Sequence, residues 1–267
     1  MVALLFLATM AGALPDRGIF PELLARVSLE HPRAVDPARN WLRVDRAHHM
    51  VTLYDGEDPI ALYATGAADL PSGLREVAGA PLRSEDRDGD GIVDRLDVLL
   101  GAKKLLYNGA RYIERYVSIA YPGGDVPRTE GVCSDTVIRA LRNAGLDLQR
   151  EVHEDILRAP AAYPMVEKVD ASINHRRVRT LLPWFVRHWQ TLPRGARYLP
   201  GDVVFFDTFA EREGPDHLGV VSDSIARSGR PNVINNWTDG ATDAEMDLLA
   251  FVPVTHHFRA PQPSQLR

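Results

Sequence analysis

The 267-residue sequence contains a single cysteine, Cys133, so no disulfide can close within the chain and packing must carry its stability. It has no basic excess. Lys and Arg total 31 against 36 Asp and Glu, a formal net charge of −5, which excludes the positive footprint that nucleic-acid binding requires. The apolar run at the N-terminus, Val2 to Leu14, falls short of the ~20 residues of a bilayer span, so no stable membrane crossing is expected. No internal repeat, low-complexity tract or obvious linker is visible. What remains is a composition of 45% hydrophobic and 25% charged residues, ordinary for a globular protein. The length suits one large domain or two small ones.

The N-terminal run ends in Ala11-Gly12-Ala13, a small-residue triplet, and residues 1–14 resemble the apolar core and cleavage site of a secretory signal. No positive residue precedes the run, and a buried N-terminal helix is the other reading. The signal reading predicts an extracytoplasmic protein. Residues 15–80 form the next region. A short helix is expected over 18–32, on Phe20, Leu23, Leu24 and Val27. "WLRVDRAHHMVTLYDGEDPIALYAT" then predicts three strands, with apolar alternation and a hairpin signal at Asp55-Gly56. This stretch resembles the opening hairpins of L,D-transpeptidases, a cell-wall enzyme family. That family's Ser-x-Gly-Cys nucleophile motif has no counterpart here, since Cys133 follows Gly131-Val132, and its activity is not carried over. Residues 70–85 read as a loop, and His48-His49 as solvated hairpin residues.

Residues 81–107 hold "DRDGDGIVDRLD" followed by an apolar helix at 95–106. Calcium loops of the EF-hand type place oxygen ligands at positions 1, 3, 5, 7, 9 and 12, with glycine at 6. Here those positions are Asp86, Asp88, Asp90, the Ile92 carbonyl, Asp94 and Asp97, with Gly91 at the turn. The segment is similar to half of a dockerin repeat, which implies a structural Ca2+ fixing the helix beside the second half of the chain. A solvated acidic turn is the alternative.

Residues 108–260 carry the chemistry. Residues 133–144 read as a helix, with Val137, Leu141 and Ala144 on one face and Gly145 as its stop. Cysteine attacks as its thiolate, which a helix N-terminus and a neighbouring imidazole both favour. Cys133 opens the helix. "PDHLGVV" offers His217 at the start of a strand, and "VINNW" offers Asn235 on the next. Cys, His, Asn is the order of papain-like sites, although a lone cysteine is more often a buried filler. "YLPGDVVFFDTF", "DHLGVVSD" and "NVINN" together are similar to the NlpC-type peptidases of the papain-like clan. Within that clan, "YPGGDVPRTEGVCSDTVIRALRNAGLDLQREVHEDI", "INHRRVRTL", "PGDVV", "HLGVV" and "THHFR" resemble the domain-of-unknown-function family 1287, over about residues 107 to 260.

That resemblance implies an α+β, papain-like (NlpC-type) fold, with a nucleophile-bearing helix packed on an antiparallel sheet. It implies Cys133 as nucleophile, His217 as proton relay and Asn235 as the residue orienting the ring, where the family has the His of a His-Asn pair. The implied activity is amide hydrolysis, with peptidoglycan stem peptides as the leading substrate. Acyl transfer, lipid or ester cleavage, and a non-catalytic wall-binding module are the alternatives. His175, Arg176 and Arg177 could clamp a substrate carboxylate or form a salt-bridge cluster. Asp125, after Gly123-Gly124, suits turn chemistry or a substrate contact. Asn174 stands where the family has an acid, and His153 and His257 suit packing or capping. Trp184 and Trp189 could line a groove but suit the core.

Overall fold

The structure, a computed structural model, describes residues 35–66, 70–78, 86–209 and 214–261. The segment 1–14 and the helix expected over 18–32 lie outside the described residues. The hairpin pattern folds as β1 (Asn40–Asp45), β2 (Met50–Asp55) and β3 (Asp58–Ala64), with Gly56 at φ +62 closing the second turn. The loop expected at 70–85 contains a fourth strand, β4 (Arg75–Ala78), which pairs parallel to β1 and gives the order β3-β2-β1-β4. Its side chains are mostly exposed, so it has no apolar alternation to announce it. Leu42, Val51, Leu53, Ile60 and Tyr63 form this sheet's own core.

Helix α1 (Asp94–Asn108) follows the acidic loop and stops at Gly109, φ +62. It lies against α2 (Cys133–Asn143) with little room between them. A Cβ on Gly101 would sit 2.6 Å from Asn143 Cβ and 2.8 Å from the Ala140 carbonyl oxygen. The short parallel pair β5 (Arg111–Tyr112) and β6 (Glu130–Gly131) leads into α2. Helix α3 (Leu148–Arg158) is capped by Asp147, which accepts the Gln149 N–H. Helix α4 (Val178–His188) runs for eleven residues, with Pro183 inside it. Asp155 ties α3 to α4 by accepting from Tyr163 and Arg187.

The remaining strands are β7 (Gln190–Thr191), β8 (Val203–Phe206), β9 (His217–Ile225), β10 (Pro231–Asn235), β11 (Ala244–Met246) and β12 (Val254–Arg259). They pair antiparallel throughout, in the order β11-β10-β9-β8-β12-β7. Alternation sends Val203, Phe205, Leu218, Val220, Ile234 and Phe258 into the core shared with α1, α2 and α4. Val204, Phe206, Val221 and Val233 face the other way, beneath the short helix α5 (Leu248–Phe251). Both faces are covered, which is why these strands read as unbroken apolar runs. Trp184 and Trp189 belong to the shared core.

One buried acid closes the sheet. Asp202 is fully buried and accepts from Arg259 Nε at 2.8 Å and from His257 Nε2 at 2.8 Å. Arg259 and His257 outweigh the cost of burial and hold its carboxyl below the ordinary range. Gly201, at φ +82, touches the Arg95 carbonyl where a Cβ would stand. The chain is therefore a mixed α+β protein, and among the described residues no helix is long and apolar enough to cross a membrane.

Candidate active site

Cys133 is the first residue of α2, and Val132 before it is extended and has no side chain that can cap. Asp135 does the capping instead, reaching back so that Oδ2 accepts the Val132 N–H at 2.8 Å. The same carboxylate takes both prongs of Arg176, at 2.7 and 2.8 Å, and the pair is buried. Ser134 Oγ donates to the Arg176 carbonyl at 2.6 Å, and Thr136 Oγ1 donates to Asp243 Oδ1 at 2.6 Å. Every side chain of the turn after Cys133 is thus bonded to another segment. Arg139, 2% exposed, donates to Asp125 at 2.9 Å and to the carbonyls of Val126, Pro127 and Glu130. It shapes the loop that delivers the chain to Cys133.

These bonds decide between the alternatives left open for most of the neighbouring residues. Arg176 and Asp125 are engaged within the protein, and Asn174 Oδ1 accepts the Asp170 N–H at 2.6 Å in a turn. His175 is buried, and burial pushes its ring down to about 4. Arg177 is exposed on the surface before α4. His153 packs on Tyr121, and His257 serves Asp202.

The Cys133 thiol is 5% exposed and lies against the backbone N–H groups of Leu218 and Ser134. Burial pushes it up to about 12, and the two N–H groups offset only part of that. Leu218 follows His217, so the thiol at the start of α2 lies beside the strand end that carries the imidazole. His217 Nε2 is 3.1 Å from Asn235 Oδ1, while Asn235 Nδ2 donates to the Val233 carbonyl at 3.2 Å. Oδ1 is therefore the acceptor, Nε2 carries the proton, and Nδ1 is the free base. Burial pushes the ring down to about 4, with the Asn235 bond and Asp216 opposing. Among the described residues no hydrogen bond joins the ring to Sγ. The resting pair is neutral on both sides, rather than the thiolate that a helix N-terminus favours.

Gly219 sets the spacing. A Cβ there would lie 2.6 Å from Val233 Cγ1, 2.7 Å from the Ile234 oxygen and 3.1 Å from Asn235 Cβ. Its absence lets β9 and β10 close until His217 meets Asn235. Asn236 turns away, and its Nδ2 donates to the Ala110 carbonyl at 3.0 Å. Trp237 meets the His217 ring edge-on, with centroids 4.7 Å apart.

Two residues around the start of α2 escaped the sequence reading. Tyr112 pairs with Gly131 across β5–β6, two residues before Cys133. Burial pushes its hydroxyl up to about 12, and the neighbouring Cys133 adds to the shift. Asp243, under the first turn of α2, is raised to about 6, again by burial. Their signal in sequence is nil, because a two-residue parallel bridge and a hydroxyl contact bring them in.

The acidic loop is a second candidate centre. Carboxylate oxygens of Asp86, Asp88 and Asp90 lie within 4.8 Å of one another. Asp94 Oδ1 accepts the Arg87 N–H at 2.7 Å instead. Asp97 is 2% exposed, and burial, then Asp90 and Asp88, push it up to about 8. His48 is half-buried, bonded to Asp45 at 2.9 Å and laid over Gly91, so it is not simply solvated.

Comparison with known proteins agrees in extent with this second half. The chain is 43% identical over 165 residues to an uncharacterized protein, YijF, of Escherichia coli strain K12, covering 60% of this chain and 78% of that one. Residues 99–260 match the profile described as a domain of unknown function, DUF1287, and the chain belongs to that family.

Proposed function

We propose that this chain is a papain-like cysteine hydrolase that cleaves an amide bond, with peptides of the bacterial cell wall as its substrate class. The observation that carries the reading is the thiol of Cys133, opening α2, set against the strand end where His217 is bonded to Asn235. In this reading Nδ1 takes the thiol proton as Sγ attacks the carbonyl, then returns it to the leaving amine. Asn235 holds the ring in the tautomer that leaves Nδ1 free. The Cys133 backbone N–H, and the Tyr112 hydroxyl beside the thiol, supply donors for the developing oxyanion. Because the pair rests neutral, proton transfer accompanies attack, and substrate closes the gap between Sγ and Nδ1. The apolar segment at 1–14 supports a place of work outside the cytoplasm.

A second reading is a wall-binding module with an inert thiol. The burial that raises Cys133 to about 12 favours it. Digestion of purified peptidoglycan, with mass analysis of released fragments, separates the two. New amine and carboxyl ends should appear with the native chain and be absent with Cys133→Ala. No cleavage at substrate saturation, with binding to the wall retained, would establish the module instead.

A further inference from the structure

We propose that residues 86–97 bind a calcium ion that fastens the C-terminal end of the nucleophile helix, through the carboxylates of Asp86, Asp88, Asp90 and Asp97 and the Ile92 carbonyl. Oxygens on opposite sides of a calcium ion at about 2.4 Å stand about 4.8 Å apart. Asp86, Asp88 and Asp90 meet that limit, and Asp97, outside that cluster, would close onto the ion from the start of α1.

The independent sign of a ligand is Asp97. It is 2% exposed, Oδ2 has no hydrogen-bond partner, and the charges acting on it most strongly are Asp90 and Asp88. A buried carboxylate oxygen without a partner, with other carboxylates adding to the cost of its charge, is unfavourable unless a cation offsets them. Lys104, whose Nζ donates to Asn143 Oδ1 at 2.7 Å, offsets these charges only in part, and Asp97 stays raised. All the donors are oxygen, the set of a hard cation. Asp94 falls outside the set, because Arg87 occupies it.

The site is bolted to α2. Asn143, its last residue, donates Nδ2 to the Asp97 carbonyl at 3.1 Å and to Asp97 Oδ1. A Cβ on Gly145 would stand 3.1 Å from Asp88 Cβ, so loop and helix end are in contact. On the other side the His48 ring covers Gly91, where a Cβ would fall 2.5 Å from Cε1. One ion therefore joins the β1–β2 turn, the loop and the helix that begins at Cys133. The metal site stands without the hydrolase reading, and only an effect on turnover rests on it.

The test uses the full chain stripped with a chelator, titrated with calcium by calorimetry and followed by thermal melting. One ion per chain should bind, and the melting temperature should rise by about 5–10 °C at calcium a hundredfold above Kd. Asp88→Asn and Asp97→Asn should each abolish that gain. Asp88 is half-buried, so its variant should fold in chelator with a circular dichroism spectrum like the parent's. Magnesium at the same concentration should give a much smaller shift. No heat and no shift at about 10 mM calcium, above the range of extracellular sites, would overturn the site. So would an equal shift in the native chain and Asp88→Asn, and an equal response to magnesium would overturn calcium as the ion.

Discussion

Alkylation of Cys133 reads the resting state of the site directly, because no other thiol competes. An ordinary thiol, with pKa near 8.5, is about 3% thiolate at pH 7. Burial that lifts Cys133 to about 12 leaves a thiolate fraction of about 10⁻⁵ at that pH. The deficit is roughly three thousandfold. A more basic thiolate is also a better nucleophile, and a Brønsted slope of about 0.45 returns roughly fortyfold of it. Iodoacetamide should therefore modify the folded chain about a hundredfold more slowly than the urea-unfolded chain at pH 7. The rate should climb about tenfold per pH unit through pH 9 with no plateau. Access to a buried thiol also slows the reaction, so the slope decides the matter rather than the absolute rate. His217→Ala should leave the profile unchanged, since the ring and Sγ share no hydrogen bond at rest. A plateau between pH 5 and 8, at rates above those of the unfolded chain and lost in His217→Ala, would show a preformed thiolate–imidazolium pair. The neutral resting state would then be wrong.

Three substitutions test how the site is built. Asn235→Ala leaves a buried ring N–H without its acceptor, a cost of about 1–3 kcal/mol that should appear as a ~10–100-fold fall in kcat with KM little changed; full activity would remove Asn235 from the site. Arg176→Met strands the Asp135 charge and should cost about 3–5 kcal/mol in urea unfolding, while Arg176→Met with Asp135→Leu recovers most of it. A raised KM at unchanged stability would favour the substrate clamp, the alternative to the salt-bridge cluster. Gly219→Ala drives a methyl into Val233 and the Ile234 carbonyl at a cost of about 1–3 kcal/mol, and kcat should fall further than that of an equally destabilised core variant. Turnover at the parent's level would show that strand spacing does not govern the ring.

Legibility in the sequence followed what each segment packs against. The strands β8, β9 and β10 were visible because both their faces are buried, leaving apolar runs with turn residues at the ends. Helix α3 was not, because its buried face includes Gln149 and Asp155 among Leu148, Val152 and Ile156. Gln149 is fully buried and works as a hydrogen-bonding post, donating to the carbonyls of Ala120 and Ala171. An apolar period cannot reveal a helix whose core side is partly polar. Cys133, His217 and Asn235 could be picked from residue type and order, since each sits at a helix start or strand end that the pattern marks. The role of Arg176 could not, because a guanidinium beside a carboxylate 41 residues away in sequence looks the same on paper as one awaiting substrate.

The segments that resemble the family divide by partner rather than by position. Asp202 of "PGDVV" is bonded to His257 and Arg259 of "THHFR", and Asp135 of "GVCSD" to Arg176 of "INHRR". Each pairing is a buried acid held by a cation or imidazole from a remote segment, and each fixes one side of the site. The first holds β8, the neighbour of β9, to β12; the second holds the turn that presents Cys133. Removing one partner of such a pair is costly, while replacing both by apolar groups often is not. The ions are therefore better understood as specifying register than as adding stability. On the proposed hydrolase reading, register is what the chemistry would need, because Sγ and the imidazole belong to different elements and no bond between them holds them in line at rest. A double apolar replacement at Asp202 and Arg259 that keeps the fold but loses turnover would separate those two contributions.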